Sequence, residues 1–173
     1  MKYNICALLL LLIITACSSN VVKEKISLND LNADNQQEDS KLALESFIEG
    51  SILESKGQTA EAILEYLEAL KYDEQGGIYY TLAKNYFKLN KLTPALRYVK
   101  EAVNDDPENI DYLTLEGGIF VASHLEDSAA VCYKRIISLD PSNAPAYFGL
   151  AQLYEVKNPS EALKLYKKII DII

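Results

Sequence analysis

The residues that could perform chemistry are few, and their spacing does not suit a catalytic site. His124 is the only histidine, so any serine or cysteine nucleophile that needs an imidazole base would have to use it. Ser123 and Glu126 lie in the same predicted turn, where adjacency in sequence does not produce the geometry of a triad. Cys132 lies in a predicted helix, where we expect a small, buried, apolar residue instead of a redox group. The sequence therefore predicts no enzymatic activity.

Metal and cofactor sites are equally unsupported. No pair of cysteines or histidines has the separation that zinc requires, and no acidic run resembles a calcium loop. Gly117-Gly118 falls within a predicted helix, whereas a phosphate-binding loop lies between a strand and a helix. Several carboxylates occur beside lysines on predicted helix faces, a pattern typical of solvated surfaces: Glu61, Glu65, Glu68, Glu101 and Glu161. We expect no cofactor and no metal.

Four alanines recur at nearly constant spacing between residues 62 and 162. Ala62, Ala95, Ala129 and Ala162 are separated by 33, 34 and 33 residues. A small residue lies upstream of each alanine, and a bulky residue lies three positions after that small residue. The four pairs are Gly50 and Leu53, Ala83 and Tyr86, Gly117 and Phe120, and Ala151 and Tyr154. Small residues let two helices approach closely, while large ones fill the space beside them. A period of about 34 indicates a solenoid of helix–turn–helix units.

The spacing and the residue types resemble the tetratricopeptide repeat family over residues 43–173. The resemblance implies an all-α fold, a right-handed superhelical solenoid of four units near residues 43–75, 76–109, 110–143 and 144–173. The pattern predicts eight helices, at residues 41–55, 59–72, 77–90, 93–105, 110–123, 126–138, 144–157 and 160–172. Because one helix pair cannot bury its apolar face alone, residues 41–173 should form one domain. Repeats of this family bind other proteins and rarely catalyse reactions.

Glycine, asparagine and proline residues mark the expected helix ends. Gly57 and Asn90 suit a left-handed stop, and Asn158-Pro159 should break one helix before Ser160 caps the next. Gly76-Gly77 predicts a looser joint after the first unit.

The first forty residues predict export and a lipid anchor. Lys2 precedes an apolar run, residues 5–16, that is too short to span a bilayer but suits a cleaved signal. Thr15-Ala16-Cys17 resembles the lipobox of bacterial lipoproteins, which implies cleavage before Cys17 and acylation of that residue. An ordinary secretory signal cut near Ala16 is the alternative. We predict a signal peptide at residues 1–16 and a lipidated, flexible linker at residues 17–40.

The net charge and the residue after Cys17 bear on location. A formal net charge of −8 argues against nucleic acid and against broad contact with anionic head groups, so acyl chains would have to hold the protein. Ser18 is not the aspartate that marks inner-membrane retention in enterobacterial sorting. We therefore expect the periplasmic face of an outer membrane. The outer face of a Gram-positive membrane stays open.

The resemblance also implies a binding groove, because the first helix of each unit lines the concave face in this family. The implied groove residues are Phe47, Tyr80, Lys84, Phe87, Thr114, Gly118, Val121, Phe148 and Gln152. The alternative is that the phenylalanines are buried between helices. Gly118 is expected to leave a depression between Tyr80 and Phe148 that accepts an apolar side chain of a partner. Lys84 and Lys88 lack the asparagine and arginine partners of the carboxylate clamp that some relatives possess.

The last helix ends in an apolar cluster. Ile170, Ile172 and Ile173 have no obvious place within the last helix pair, so we expect an exposed patch there. A further helix with a polar outer face, usual in such solenoids, is absent from the sequence. The patch would dock on a partner or on a second copy, or the tail would fold back over the last pair.

Two functions follow from these expectations. The first is a membrane-tethered adaptor in the bacterial envelope that holds a peptide or helix of a partner protein. It looks like short repeat lipoproteins that assist pilus secretins, escort cell-wall hydrolases or take part in outer-membrane assembly. The alternative is a self-associating structural component of such an assembly.

Overall fold

A computed structural model describes residues 35–173, and its regular structure there is entirely α-helical. The helices are α1 (residues 35–55), α2 (Thr59–Ala69), α3 (Gly76–Lys88), α4 (Leu92–Asp105), α5 (Ile110–Ala122), α6 (Glu126–Leu139), α7 (Ala144–Lys157) and α8 (Pro159–Ile172). The chain divides into two compact units, Met1–Leu42 and Ala43–Ile173. The second unit contains α2 to α8, and α1 crosses the boundary. The predicted all-α solenoid is confirmed.

Helix α1 is longer than predicted. Residues 35–40 are helical, so the predicted flexible linker is wrong over its last six residues. The segment contains the good helix formers Gln36, Gln37 and Glu38 and neither glycine nor proline. Every side chain in it is exposed, so the apolar periodicity that revealed the other helices is missing. The signal peptide, Cys17 and the rest of the linker lie outside the described residues.

Close helix approach at the small residues is confirmed. A Cβ atom added to Gly50 would lie 2.7 Å from the ring of Tyr66, and one added to Gly117 would lie 3.2 Å from Tyr133. All four recurring alanines are buried: Ala62, Ala95, Ala129 and Ala162. Helices that are neighbours in sequence pack on one another from α2 to α8. The periodic small and large residues therefore mark the contacts within each helix pair.

The core of residues 43–173 consists of two clusters, each of which crosses a junction between repeats. A first cluster joins residues of the first two helix pairs to Ile119 of α5. A second cluster contains Leu113, Ile136 and Ala146, with Val103 at its edge. Both clusters include residues from more than one pair, as a stack that buries its faces between units requires.

A left-handed residue ends the first helix of three units. Gly57 has φ of 77° and Asn90 has φ of 54°, as predicted. His124 has φ of 56° at the equivalent place. This conformation costs a side-chain-bearing residue more than it costs glycine.

Asparagine side chains cap three of the later helices. The Oδ1 atom of Asn109 accepts from the backbone N–H of Asp111 at 3.1 Å and of Tyr112 at 3.3 Å. Asn143 caps α7 in the same way. The cap of α8 is Asn158, which accepts from the N–H of Glu161, so the prediction that Ser160 caps this helix is wrong. Pro159 begins the helix, which moves the cap one residue before the proline.

The first glycine of the Gly76-Gly77 pair ties the start of the second repeat to the end of that same repeat. The N–H of Gly76 donates to the Asp105 carboxylate at 3.0 Å, and an added Cβ atom would lie 2.4 Å from that oxygen. A larger residue at position 76 would have to displace the Asp105 side chain, because the end of α4 packs directly against the start of α3. Gly77 has open surroundings by comparison.

Candidate functional site

The two residues first considered for chemistry, His124 and Cys132, differ in their exposure to solvent. His124 is exposed in the turn between α5 and α6, as predicted. Cys132 is buried on α6, and its thiol donates to the Glu116 carboxylate at 3.3 Å. Burial, followed by the charge of Glu116, raises the pKa of the Cys132 thiol to about 12. The thiol is therefore protonated at neutral pH and is a poor nucleophile. Within residues 35–173, no three of the His, Cys, Asp and Glu side chains gather into a possible metal site.

An open pocket of about 280 Å³ lies beside Gly118, between α3 and α5. It is lined by Tyr80, Phe87, Asp111, Thr114, Leu115 and Gly118. Apart from its two chain neighbours and the backbone of its own helix, no atom lies within 4 Å of the position that a Cβ atom of Gly118 would occupy. The close helix contact is made by Gly117 on the adjacent position, so packing does not require a second glycine. The space above Gly118 is open to a ligand.

Two aromatic side chains form one side of this pocket. Tyr80 stacks on Tyr112, with ring centroids 5.1 Å apart. Burial, with a smaller contribution from the charge of Asp111, raises the pKa of Tyr80, so its phenol stays neutral. Phe87 packs partly against the first core cluster and presents the remainder of its ring to the pocket. Both rings are therefore held by neighbours, which gives the pocket a fixed apolar wall.

Asp111 and Leu115 are pocket residues that the sequence prediction missed. The predicted stripe on α5 began at Thr114, but the same face continues one turn earlier to Asp111, which is exposed. Extending the stripe by its helical spacing would have included Asp111. Leu115 is one residue off the stripe and also packs against the first core cluster, so periodicity alone would not reveal it.

The other predicted groove residues divide into three groups. Phe47 packs against the first core cluster, with its ring centroid 5.3 Å from that of Tyr66, so the burial alternative holds for this residue. Phe148 is 50% exposed and meets Tyr166 edge-on, outside the pocket of Gly118. The predicted depression between Tyr80 and Phe148 is therefore bounded by Phe87 instead of Phe148. Val121 and Gln152 are exposed and lie outside the pocket.

A polar network joins α1, α2 and α3 beside the groove. Both Lys84 and Lys88 form ion pairs with Glu54, the former at 3.3 Å. The Glu54 carboxylate also accepts from Asn85 at 3.1 Å and from the Tyr66 hydroxyl at 3.0 Å. Burial alone would raise the pKa of Glu54, but the hydrogen bonds and the lysine charges outweigh it and lower the pKa to about 2. Both lysines are thus engaged with a resident carboxylate.

A second depression, of about 420 Å³, lies between α4 and the turn after α5. Its lining combines apolar side chains with two bases: Leu92, Thr93, Leu96, Arg97, Lys100, Ser123 and Leu125. The predicted groove residues come only from the first helix of each repeat, so the prediction did not include this depression.

The predicted apolar cluster at the end of α8 is partly exposed. Ile170 and Ile173 are 75% and 95% exposed. Ile172 is half-buried, so its prediction as an exposed residue is wrong. It lies three positions after the half-buried Ile169, on the inward side of the helix.

Models of the tetratricopeptide repeat family match two segments of the chain, residues 46–75 and 132–171. These segments coincide with the first helix pair and with α6 to α8. Residues 43–173 form a helical solenoid like that of tetratricopeptide repeat proteins. No curated protein matches the chain.

Solved tetratricopeptide repeat structures share this fold. YrrB, "a TPR protein with an unusual peptide-binding site", is 25% identical, with 88% of this chain and 83% of that chain covered and a TM-score of 0.70. MamA is 22% identical, with coverage of 75% and 77% and a TM-score of 0.71. The first TPR of Spaghetti (RPAP3), "bound to HSP90 peptide SRMEEVD", is 24% identical, with coverage of 68% and 94% and a TM-score of 0.64. Two of these three proteins are thus described by their interaction with a peptide.

Proposed function

We propose that residues 43–173 are a protein-binding scaffold that holds a peptide or helix of a partner in the pocket beside Gly118. The observation that carries this proposal is the open space above Gly118. A glycine within a helix costs roughly 1 kcal/mol relative to alanine, and no helix contact at this position requires it. Extended concave surfaces are the usual binding sites of helical solenoids. The peptide-bound and peptide-binding relatives support the same role.

The lining of the pocket indicates what kind of side chain it accepts. Tyr80, Phe87 and Leu115 provide apolar contact, while Asp111 and Thr114 provide polar groups at the rim. Lys84 and Lys88 are engaged by Glu54, so the pocket does not offer unpaired lysines to a terminal carboxylate. We expect a bulky apolar side chain of the partner to enter the pocket, with a hydrogen-bond donor or a base directed at Asp111.

The second part of the proposal concerns location. We infer that acyl chains on Cys17 hold the scaffold at the periplasmic face of a bacterial outer membrane, where it serves an envelope assembly. The lipobox-like Thr15-Ala16-Cys17 supports this inference. Among the described residues, no helix is both long and apolar enough to cross a bilayer. Pilus secretins, cell-wall hydrolases and outer-membrane assembly factors are the partner classes that this location favours.

Substitution of Gly118 tests the binding role. Peptides selected from a displayed library on the unmodified protein are measured by fluorescence polarisation against Gly118→Leu and Gly118→Ala. We expect Gly118→Leu to fill the pocket and weaken binding by about tenfold or more, a loss of ~1.4 kcal/mol. Gly118→Ala is the matched control, because a single methyl group leaves most of the pocket open.

Helix content and thermal unfolding of both variants should equal or exceed those of the unmodified protein. Equal affinity of all three proteins would exclude this pocket as the binding site. Pull-down after crosslinking in native envelopes, with the same three proteins, would then identify the cellular partner.

A further inference from the structure

The first helix of the repeat stack carries an uncovered apolar face. We define the first face as Ile48 and Ile52 on α1, which are 49% and 40% exposed. One repeat later, the residues equivalent to Ile48 and Ile52 are Thr81 and Asn85, and both are buried. Two repeats later they are Leu115, which is half-buried, and Ile119, which is fully buried. These positions are covered wherever another repeat precedes them.

The last helix carries a second uncovered face. We define the last face as Leu163 and Ile170 on α8, which are 56% and 75% exposed. The residues equivalent to Leu163 in the earlier repeats are buried or half-buried: Ile63, Leu96 and Ala130. Those equivalent to Ile170 are half-buried: Leu70, Val103 and Ile137. These positions are covered wherever another repeat follows them.

Within the chain, the corresponding surfaces of successive repeats meet. Val103 and Ile137, equivalent to Ile170, belong to one core cluster with Leu113 and Ala146, which lie in the first helices of the repeats that follow them. A Cβ atom on Gly149, equivalent to Ile48, would lie 2.8 Å from Tyr133 of the preceding repeat, and Tyr133 is equivalent to Tyr166 of α8. The surface of α1 that carries the first face and the surface of α8 that carries the last face are therefore the two sides of a junction that the chain builds between its own repeats.

Charges near the two faces are complementary. Helix α1 contains one base, Lys41, against five acids: Glu38, Asp39, Glu45, Glu49 and Glu54. Helix α8 contains Lys164, Lys167 and Lys168 against two acids, and all three lysines are exposed. Pairing of two first faces would oppose acids, and pairing of two last faces would oppose lysines. Only a first face against a last face brings opposite charges together.

We propose that a second copy of this chain covers these faces, with the last face of one molecule on the first face of the next. The contact continues the repeat stack from one molecule to another. Because the two surfaces differ, such a heterologous contact need not close, and molecules can add head to tail into short filaments. This association goes beyond the binding role proposed above, because the pocket beside Gly118 lies between α3 and α5 and remains open within each molecule.

Photocrosslinking in the full chain tests the orientation. Benzoylphenylalanine is placed at Ile48 or at Ile170 in cells that contain a mixture of unlabelled and 15N-labelled protein, and crosslinked peptides are identified by mass spectrometry. We expect mixed-isotope pairs that join position 48 to peptides of α8 and position 170 to peptides of α1. Crosslinks of position 48 only to residues 1–34, or of either position only to other proteins or to itself, would overturn the proposal.

Charge substitutions test whether these faces provide the association. In sedimentation of the detergent-solubilised full chain, Ile170→Glu and Ile48→Lys should each weaken association by about tenfold or more. The double variant should recover part of it, since the new lysine and the new glutamate lie on opposite sides of the same junction and attract each other. Val131→Glu is the matched control, because Val131 on α6 is 65% exposed and lies on neither face.

Thermal unfolding should be unchanged in all four variants, since each substituted side chain is exposed in the single molecule. Sedimentation of the unmodified chain as a monomer at every concentration, or failure of the double variant to recover association, would refute the head-to-tail contact. Loss of peptide binding in Gly118→Leu is independent of both results, so the two proposals can fail separately.

Discussion

At the scale of single residues, three turn positions differ in how easily their residues adopt the required backbone conformation. Gly57, Asn90 and His124 occupy the same place in successive repeats, each with positive φ. Glycine adopts this conformation without steric cost, whereas asparagine and histidine, like other residues with a Cβ atom, adopt it at some cost. His124 is exposed, so burial does not compensate for the strain. The turn after α5 is therefore less favourable than the turn after α1.

We expect His124→Gly to increase the free energy of unfolding by about 0.5–1 kcal/mol, because glycine relieves the strain of a positive φ. Urea denaturation measures the change. His124→Ala is the control, which removes the same side chain but keeps a Cβ atom. A stability of His124→Gly no greater than that of His124→Ala would show that the turn is unstrained.

At the scale of elements, the junction of α1, α2 and α3 depends on Glu54. Its side chain is only 16% exposed and holds lysines from α3 and the Tyr66 hydroxyl from α2. Asn85 directs its amide N–H groups to Glu54 and to the Thr81 carbonyl, while its own oxygen is buried without a hydrogen bond. One carboxylate therefore joins three helices beside the groove, and its protonation state affects all of them.

Glu54→Gln should lower the free energy of unfolding at pH 7 by about 1–3 kcal/mol, because two lysines lose their charged partner. The pKa of Glu54 is about 2 in the folded protein, against 4.5 for an ordinary glutamate. Its stabilising contribution is therefore present above pH 4.5 and is lost as the pH falls toward 2. The difference between the two proteins should shrink over this window in urea denaturation.

Glu68→Gln provides a control on the surface. Glu68 also pairs with a lysine, Lys71, but both side chains are exposed. Exposed ion pairs contribute little to stability, so this variant should unfold nearly as the unmodified protein does. If Glu54→Gln and Glu68→Gln behave alike from pH 7 to pH 2, Glu54 does not stabilise the junction.

At the scale of the whole molecule, the repeat stack contains a groove along its side and uncovered apolar faces on α1 and α8. The two proposals place separate tasks on separate parts of the chain: partner binding beside Gly118 and association between copies at the faces. The N-terminal residues, which the structure does not describe, would supply the membrane tether. Acyl chains contribute about 0.8 kcal/mol per buried methylene, and two or more chains give stable anchoring.

Cys17→Ser should therefore abolish labelling by a radioactive or clickable fatty acid and move the protein from the membrane fraction to the soluble periplasmic fraction. The physical reason is that no described helix can replace the acyl chains as an anchor. Ser18→Ala is the matched control and should leave labelling unchanged. Persistent labelling of Cys17→Ser would mean that the chain is not a lipoprotein acylated at this residue.

The repeat architecture was determined by the sequence itself. The recurring alanines and the small residues predicted the helix pairs and their close contacts, because each repeat meets its neighbours at a constant offset and local spacing reports that contact directly. The positive φ of Gly57 and Asn90 was predictable from residue type, because glycine and asparagine are the residues that most often end a helix in the left-handed conformation. The helical residues 35–40 were not, because a fully exposed helix has no apolar period to detect.

The details of the surfaces were decided only by the tertiary structure. Phe47, Phe87 and Phe148 occupy equivalent stripes, yet the first is packed on the core, the second lines a pocket and the third is half exposed. Their exposure depends on the size of side chains from neighbouring helices, such as Tyr66, and the period does not encode that size. The gathering of Lys84 and Lys88 on Glu54 likewise depends on distances between helices that are 30 or more residues apart in sequence. Spacing along the chain predicts which helices meet, but the volume left between them is known only once they are packed.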